Sequence, residues 1–125
     1  MENFNINQLV FNSDGLIPTI AQEKSTNEIL MMAYSNKNSI EMTVKTKKAH
    51  FWSRSKKKLW FKGETSGNKL NIINIYTDCD SDALIYEVEL EGIGACHTGK
   101  KSCSLVLFQA CDGRRSSDAY AEPWL

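Results

Sequence analysis

The sequence predicts a domain of the α+β class that is mainly β and carries one clear helix. Three observations predict it. Apolar and polar residues alternate along several short segments, as they do in half-buried strands. Turns rich in glycine and polar residues separate these segments, and one segment alone has a helical apolar period. The length of 125 residues suits one compact domain, so we expect a single domain over residues 1–125.

Eight segments have the alternation or the turn-bounded apolar character of strands. In chain order they are QLVF, GLIPTIAQE, STNEILMMAY, AHFWSRS, KKLWFK, KLNIINIYTD, ALIYEVELE and SCSLVLFQA. The third is apolar and fits either a helix or a strand, and we interpret it as a strand because the turn-like STNE opens it. The stretches GETSGN and EGIGACHTGKKS are rich in glycine and polar residues and are predicted to be loops.

The helix is predicted over residues 36–47, with Ser35 as its N-cap. Ile40 and Val44 lie four positions apart and would form its apolar stripe. Lysines cluster at its C-terminal end, where positive charge suits the negative end of the helix dipole.

The composition, with 42% hydrophobic and 24% charged residues, is typical of a soluble globular protein. No apolar run approaches the roughly 20 residues that span a bilayer, and the N-terminus lacks the pattern of a signal peptide. We therefore expect a cytoplasmic protein whose thiols stay reduced. Its four cysteines are then thiols or metal ligands rather than a disulfide framework: Cys79, Cys96, Cys103 and Cys111. Cys111 has no neighbouring chemistry, and we interpret it as structural.

The charges balance but are unevenly distributed along the chain. Eight of the 15 basic residues fall within 45–62, where no acidic residue occurs between Glu41 and Glu64. Six of the 15 acidic residues fall within 78–91. One segment therefore suits anions and another suits cations.

Three aspartates occupy alternate positions in YTDCDSDA, residues 76–83. If this stretch is a strand, Asp78, Asp80 and Asp82 share one face while Cys79 and Ser81 point to the other. Three carboxylates on one face form a hard oxygen site that suits Mg²⁺. Without a cation, the pKa of at least one of them should rise.

The aspartates have two alternative interpretations, a calcium-binding loop and a solvated turn. An EF-hand loop starting at Asp78 would place Glu89 at its twelfth position, but Ala83 stands where that loop requires glycine. The flanking segments also alternate like strands and not like helices. An acidic turn that stays solvated and binds nothing remains an open alternative on the aspartates alone.

The cysteines raise the prospect of a second metal. Cys96 and Cys103 flank the loop ACHTGKKSC, and with Cys79 they make three potential thiolates. Three protein ligands and one open position is the arrangement of a catalytic zinc, which lowers the pKa of its bound water to about 7. His97 could carry protons beside such a site. Ordinary buried thiols and a loop histidine held by backbone groups remain the alternatives.

The basic segment mixes cations with aromatic residues in FWSRSKKKLWFKGETSGN. Lysine and arginine bind phosphate, and aromatic rings stack on bases, so this segment suits a nucleotide or a nucleic-acid surface. A solvated hairpin is the simpler alternative. The loop KGETSG adds backbone N–H groups, two hydroxyls and one carboxylate that could hold a phosphate or a sugar. His50, within the basic strand, is interpreted as structural.

Four motifs together, FWSRS, LWFKGETSGN, DCDSDA and GACHTGKKSC, resemble the phosphoribosyl-AMP cyclohydrolase family of histidine biosynthesis. The resemblance runs from about GLIPTIAQ to SCSLV. It implies a small twisted or barrel-like sheet and an intertwined homodimer. A pyrophosphohydrolase domain follows this one in some relatives, and we do not expect that second activity here because the chain stops at Leu125. The implied activity is hydrolysis of a C–N bond in a cyclic amidine: zinc-activated water, assisted by Mg²⁺, opens the adenine ring of the small-molecule substrate phosphoribosyl-AMP between N1 and C6.

The resemblance also implies roles for individual residues. The implied zinc ligands are Cys79, Cys96 and Cys103, the implied Mg²⁺ ligands are Asp78, Asp80 and Asp82, and His97 is the implied general acid or base. The implied substrate contacts are Trp52, Arg54, Lys62, Glu64, Thr65 and Ser66. In the intertwined homodimer the zinc site would take Cys79 from one chain and the other two cysteines from its partner.

Two other function classes fit less well, and we expect neither a nucleic-acid nor a membrane partner. A nucleobase deaminase also attacks a ring carbon with zinc-activated water, but its H-x-E…P-C-x-x-C signature is absent. A zinc-stabilised RNA-binding module would explain the basic segment and the thiols. It would not explain three aspartates, which repel a phosphate backbone unless they hold a metal.

Overall fold

The computed structural model describes residues 5–96, 100–103 and 107–111. Over these residues the chain forms one short 3₁₀-helix, one α-helix and six strands. In order they are the 3₁₀-helix Ile6–Gln8, β1 Ile17–Glu23, β2 Ile29–Ser35, α1 Lys37–Thr46, β3 His50–Ser53, β4 Lys58–Phe61, β5 Lys69–Thr77 and β6 Leu84–Glu91. The predicted mainly β domain with one clear helix is confirmed.

The six strands form one sheet in the order β4-β3-β2-β1-β6-β5. The pair β1 and β6 is parallel, and every other neighbouring pair is antiparallel. The sheet curls, because the residues that lead into β3 also reach β5 at the far edge. The N–H of Ile72 donates to the carbonyl of Lys47 at 2.8 Å, and the N–H of Ala49 donates to that of Leu70 at 2.9 Å. The sheet is therefore a half-barrel, as the resemblance implied.

The core lies on the concave side of this sheet. Alternate residues of β1 and β6 point into it, among them Ile17, Ala21, Tyr86 and Val88. The rings of Phe51 and Tyr86 stack across it with centroids 5.7 Å apart. Helix α1 packs against β2, β3 and β4.

The convex face carries an apolar row that crosses four strands. Ile20 pairs with Met32 on one side and with Ile85 on the other, and Ile85 pairs with Tyr76. Met32, Ile85 and Tyr76 are 52%, 37% and 49% exposed. Within the described part of one chain, this row therefore remains accessible to solvent.

The helix starts one residue later than predicted, and the residues that face the core differ in part from the predicted ones. Asn36 is the N-cap: its side chain accepts the N–H of Ser39 at 2.8 Å, and the hydroxyl of Ser39 accepts the N–H of Asn36 at 2.9 Å. Ser35 instead is buried in β2, bonded to Thr19 at 2.8 Å. Ile40 is buried as predicted, but Val44 is 40% exposed, because Thr43 occupies the inward position and accepts the N–H of His50.

Two predicted strands are wrong where they can be checked. QLVF overlaps the 3₁₀-helix and forms no strand, because Asn5 caps that turn with its side chain. In SCSLVLFQA, residues 102–103 and 107–110 are not in a strand, and residues 104–106 lie outside the described part. Cys111, interpreted as structural, has an exposed thiol.

Among the residues that the structure describes, no helix has the length and apolar character needed to cross a bilayer.

Candidate active site

The aspartates form a cluster at the turn between β5 and β6. Their carboxylate oxygens all lie within 4.8 Å of one another, and all three residues are exposed. The predicted clustering of the three carboxylates is confirmed, but the strand that was expected to produce it is wrong. Residues 78–83 form a turn and not a strand. Ser81 adopts a positive φ of 59° within it, and the carboxylate of Asp78 accepts the N–H of Asp82 at 3.0 Å.

Crowding of these carboxylates perturbs their ionisation. The pKa of Asp82 is raised because its side chain hydrogen-bonds the carboxylate of Asp78, whose negative charge, with that of Asp80, disfavours a second ionisation. Desolvation alone would raise the pKa of Asp78, but hydrogen bonds with Asp82 and with the backbone of Ala83 lower it. The prediction that at least one aspartate titrates upward is confirmed.

The loop that begins at Cys96 and ends at Cys103, called the thiol loop below, is closed at its base by backbone hydrogen bonds. These two cysteines are called the thiol pair. The N–H of Ala95 donates to the carbonyl of Lys101 at 2.8 Å, and that of Cys96 donates to Lys100 at 3.1 Å. A side chain at Gly94 would collide with the Lys100 carbonyl, so the two arms approach closely only because this residue is glycine. His97, the predicted acid or base, lies outside the described residues.

Lys62 interacts electrostatically with both of these cysteines. It follows β4 directly and is only 7% exposed. Burial lowers the pKa of Lys62, and the negative charge of the Cys103 and Cys96 thiolates opposes that shift. A buried cation facing two thiols favours their ionised form, which is the form that binds metal.

The loop after Lys62 is fastened to the segment that leads into Cys96. Gly63 has a φ of +87° and lies against the backbone of Asn68, where a side chain would collide. The side chain of Asn68 accepts the N–H of Ile93 at 3.1 Å. Three predicted substrate contacts in this loop are exposed: Glu64, Thr65 and Ser66. The structure therefore places an accessible polar loop next to the thiol pair.

The remaining candidates lie on β3 and its turn. Trp52 pairs with Tyr34 of β2, and the guanidinium of Arg54 lies 4.0 Å from the centroid of the Tyr34 ring. Arg54 is exposed, whereas Trp52 is partly buried. His50 has a structural role, as predicted from the sequence. It is buried, the centroids of its ring and the Phe61 ring are 4.6 Å apart, and its Nδ1 lies 2.8 Å from the carbonyl oxygen of Lys48.

The three predicted zinc ligands do not meet within one chain. Among the described residues, the aspartates alone form a group of three metal-binding side chains with close ligand atoms, although all three cysteines are described. Cys79 precedes the N-terminal end of β6 and Cys96 follows its C-terminal end, and the strand spans Leu84–Glu91. At about 3.3 Å per residue, those strand ends are roughly 23 Å apart.

The sequence reasoning missed the ion-pair group that anchors the thiol loop. Lys101 Nζ lies 2.7 Å from a Glu23 carboxylate oxygen and 3.0 Å from one of Glu28. The hydrogen bond with Lys101 lowers the pKa of Glu23, and the same bond raises the pKa of Lys101. The sequence feature that hinted at this group was the lysine pair 100–101, which lies between the candidate ligands Cys96 and Cys103. Its partners lie far away along the chain and could not be identified from sequence.

A family model described as phosphoribosyl-AMP cyclohydrolase matches residues 31–105, which contain every metal, catalytic and substrate residue predicted from the sequence. The chain belongs to this family. A phosphoribosyl-AMP cyclohydrolase from Archaeoglobus fulgidus is 56% identical over 96 residues, covering 77% of this chain and 88% of the relative. One from Nitrosopumilus maritimus is 55% identical over 91 residues, covering 73% and 83%.

A histidine biosynthesis bifunctional protein from Aquifex aeolicus is also similar. It is 52% identical over 96 residues, which cover 77% of this chain and 47% of that protein. The family that the four sequence motifs indicated is therefore confirmed.

Proposed function

We propose that this chain is a phosphoribosyl-AMP cyclohydrolase, a hydrolase of histidine biosynthesis. It would act in the cytoplasm as a single domain. One observation carries the proposal beyond family membership: the buried cation Lys62, the thiol pair Cys96 and Cys103, and the exposed loop GETSGN are neighbours. A cation, metal-binding thiols and phosphate-binding groups in one place suit hydrolysis of a phosphorylated nucleotide.

The reaction follows from the chemistry of the substrate. Phosphoribosyl-AMP carries a second phosphoribosyl group on N1 of adenine, which makes the ring electron-poor and C6 electrophilic. Water adds to C6 and the N1–C6 bond breaks. The oxygen of water ends on C6 as the carbonyl of a carboxamide, and N1 keeps the electron pair of the broken bond and takes a proton. The product is the ring-opened formimino-AICAR ribotide, ProFAR.

The thiols fit zinc by their donor chemistry, and the ligands would be Cys79, Cys96 and Cys103. Zinc, when bound, would act as a Lewis acid that lowers the pKa of a water molecule. The buried ammonium of Lys62 would offset the surplus negative charge of three thiolates. His97, next to Cys96 in the sequence, would move protons as general acid or base.

The aspartate cluster fits Mg²⁺. Three carboxylates with oxygens within 4.8 Å of one another offer the hard ligands that this ion prefers. A bound cation would offset the repulsion by Asp78 and Asp80 that contributes to the raised pKa of Asp82. The ligands of Mg²⁺ would be Asp78, Asp80 and Asp82. The bound ion would assist substrate binding by attracting a negatively charged phosphate.

We further propose that the protein is a homodimer with shared zinc sites. Cys79 lies at the opposite end of β6 from Cys96, so a site that uses all three thiols needs Cys79 from a second copy. The exposed apolar row of Met32, Ile85 and Tyr76 gives that second copy a surface to cover. Sedimentation would show a dimer, and Ile85→Lys would shift it toward monomer with loss of zinc.

The substrate contacts would divide between the two phosphates and the base. Positive charge at Arg54 and Lys62 suits the phosphates, and the loop residues Glu64, Thr65 and Ser66 offer hydrogen bonds to phosphate or sugar. Trp52 would lie against the base. These assignments agree with the exposure of the loop and of Arg54.

The proposed function is tested by following ring opening of phosphoribosyl-AMP by ultraviolet absorbance, before and after zinc chelation. Turnover that chelation abolishes and Zn²⁺ restores would support the whole proposal. Turnover that survives thorough zinc removal would keep the enzyme and discard the zinc. No turnover with both metals supplied would refute the activity, and RNA binding with a strong salt dependence would then favour the RNA-binding module.

A further inference from the structure

Lys101 joins the thiol loop to the turn between β1 and β2. Its ammonium lies between two carboxylates, 2.7 Å from Glu23 and 3.0 Å from Glu28. The side chain of Glu23 is 12% exposed and that of Lys101 is 39% exposed, so the pair lies at the protein surface with its carboxylate partly shielded from solvent. Lys101 itself is separated from Cys103 by a single residue.

The turn that supplies these carboxylates is built by its own hydrogen bonds. The N–H of Glu23 donates to the carbonyl of Glu28 at 2.8 Å. The hydroxyl of Thr26 donates to the Glu23 carboxylate at 2.8 Å and accepts the N–H of Glu28 at 3.1 Å. The turn therefore holds the Glu23 carboxylate and the backbone of Glu28 in place, and Lys101 bridges the two carboxylates.

Neighbouring residues extend the same attachment to β2. The hydroxyl of Ser102 donates to the carbonyl of Ile29 at 2.6 Å, and the N–H of Cys103 donates to that of Leu30 at 2.8 Å. On its other side, the carbonyl of Lys101 accepts the N–H of Ala95. The backbone on both sides of the thiol pair is thus fixed relative to the sheet.

We propose that Glu23, Glu28 and Lys101 are positioning residues that hold Cys96 and Cys103 at the spacing their metal requires. This inference rests on the proposed role of the two thiols as ligands. A loop already ordered by folding loses little conformational freedom when the metal binds, so affinity rises without any new metal ligand. Groups that orient metal ligands typically change affinity by about 10- to 100-fold.

The test uses Lys101→Met in the full-length protein, which removes the charge and keeps most of the side-chain volume. Zinc affinity is measured by competition with a chromophoric chelator, and ligand geometry by the absorption of the Co²⁺-loaded protein. We expect zinc binding weakened about 10-fold or more, with altered Co²⁺ bands. Lys101→Arg should restore both, because it keeps the charge between the two carboxylates.

The chain offers a matched control. Lys24 forms an ion pair with Glu87 at 3.7 Å and has no described contact with the thiol loop. Lys24→Met should leave zinc affinity and the Co²⁺ spectrum unchanged. The proposal is overturned if Lys101→Met binds zinc as tightly as the unaltered protein, or if both variants weaken binding equally.

Two further variants keep the outcomes distinct. Cys103→Ser tests the ligand assignment itself: unchanged zinc affinity there would overturn the proposed zinc site whatever Lys101→Met does. If Lys101→Met does not fold, the zinc affinity of Glu28→Gln decides instead. This variant keeps the ion pair of Lys101 with Glu23 and removes the charge of the second carboxylate. An affinity loss of a few-fold in Glu28→Gln supports the proposal, and none overturns it.

Discussion

The side chain of Asn68 accepts the backbone N–H of Ile93 at 3.1 Å, and this bond connects the loop after β4 to the segment before Cys96. Gly92 lies so close to Asn68 that any side chain there would collide with it. In this way the two segments that carry the proposed substrate and metal groups are held as one unit.

Asn68→Ala should disturb substrate binding more than the chemical step. Without its bond to Ile93 the loop loses its attachment to the segment before Cys96, so we expect KM to rise about 5-fold with a smaller change in kcat, which corresponds to about 1 kcal/mol of lost binding. Steady-state kinetics would measure both. Asn12→Ala is the control, since the Asn12 side chain also accepts backbone N–H groups but lies in the turn before β1. Equal effects of the two substitutions would contradict the prediction.

Lys62→Met should make metal loading require a higher pH. The buried ammonium interacts electrostatically with the thiolates of Cys96 and Cys103, and a neighbouring opposite charge typically shifts a pKa by about one unit or more. The midpoint of the pH profile for zinc binding should therefore move upward by about one unit. Lys58→Met, at the exposed start of β4, should leave the midpoint where it is. A midpoint unchanged in Lys62→Met would rule out this role.

Cation binding at the aspartate turn should weaken as the pH falls. The pKa of Asp82 is raised by Asp78, so a proton competes with the cation at pH values where an ordinary aspartate is already ionised. Affinity should be full above the raised pKa and be lost as the pH decreases through it. Calorimetric titration with Mg²⁺ at several pH values measures this. Asp82→Asn should bind more weakly at neutral pH and with a flatter pH profile; an unchanged profile would count against the cluster as the site.

Tyr86→Phe should leave stability unchanged or raise it by up to about 1 kcal/mol. Burial raises the pKa of Tyr86, and the nearby hydroxyls of Ser35 and Thr43 oppose that rise. The hydroxyl of Tyr86 nevertheless makes no hydrogen bond of acceptable distance and angle with a described residue. Removing an unpaired buried hydroxyl removes a desolvation cost and keeps the ring stacked on Phe51. Thermal unfolding measures the change, with Tyr76→Phe as the exposed comparison. A loss greater than 1 kcal/mol would show that this hydroxyl has a partner.

Local patterns predicted the strands and the helix because these depend on nearby residues. Alternation located β1, β5 and β6, although the bulge between Ile72 and Asn74 shifts the pattern and leaves Ile73 exposed. Val44 was misplaced because an i, i+4 apolar pair does not reveal that Thr43 takes the inward position. Apart from the two predicted strands that are wrong, QLVF and SCSLVLFQA, the errors concern fine geometry within correctly located elements.

The site was predictable in its residue types and less so in its arrangement. The aspartates cluster as expected, but through a turn that the strand argument did not foresee. The ion pairs of Lys101 with Glu23 and Glu28 depend on the parallel pairing of β1 with β6, which brings distant segments together. Periodicity within a segment carries no information on such pairing.

The most direct test of the central claim, a zinc site completed by a second copy, is complementation between two inactive variants. Cys79→Ser and Cys103→Ser are each assayed for ring opening alone and after refolding together. With shared sites, each variant alone is inactive, and the mixed dimer regains one intact site of its two. Half of a statistical mixture consists of mixed dimers, so activity should return to about one quarter of the unaltered level. A mixture as inactive as its components would contradict a zinc site shared between two chains, and full activity of Cys79→Ser alone would remove Cys79 from the site.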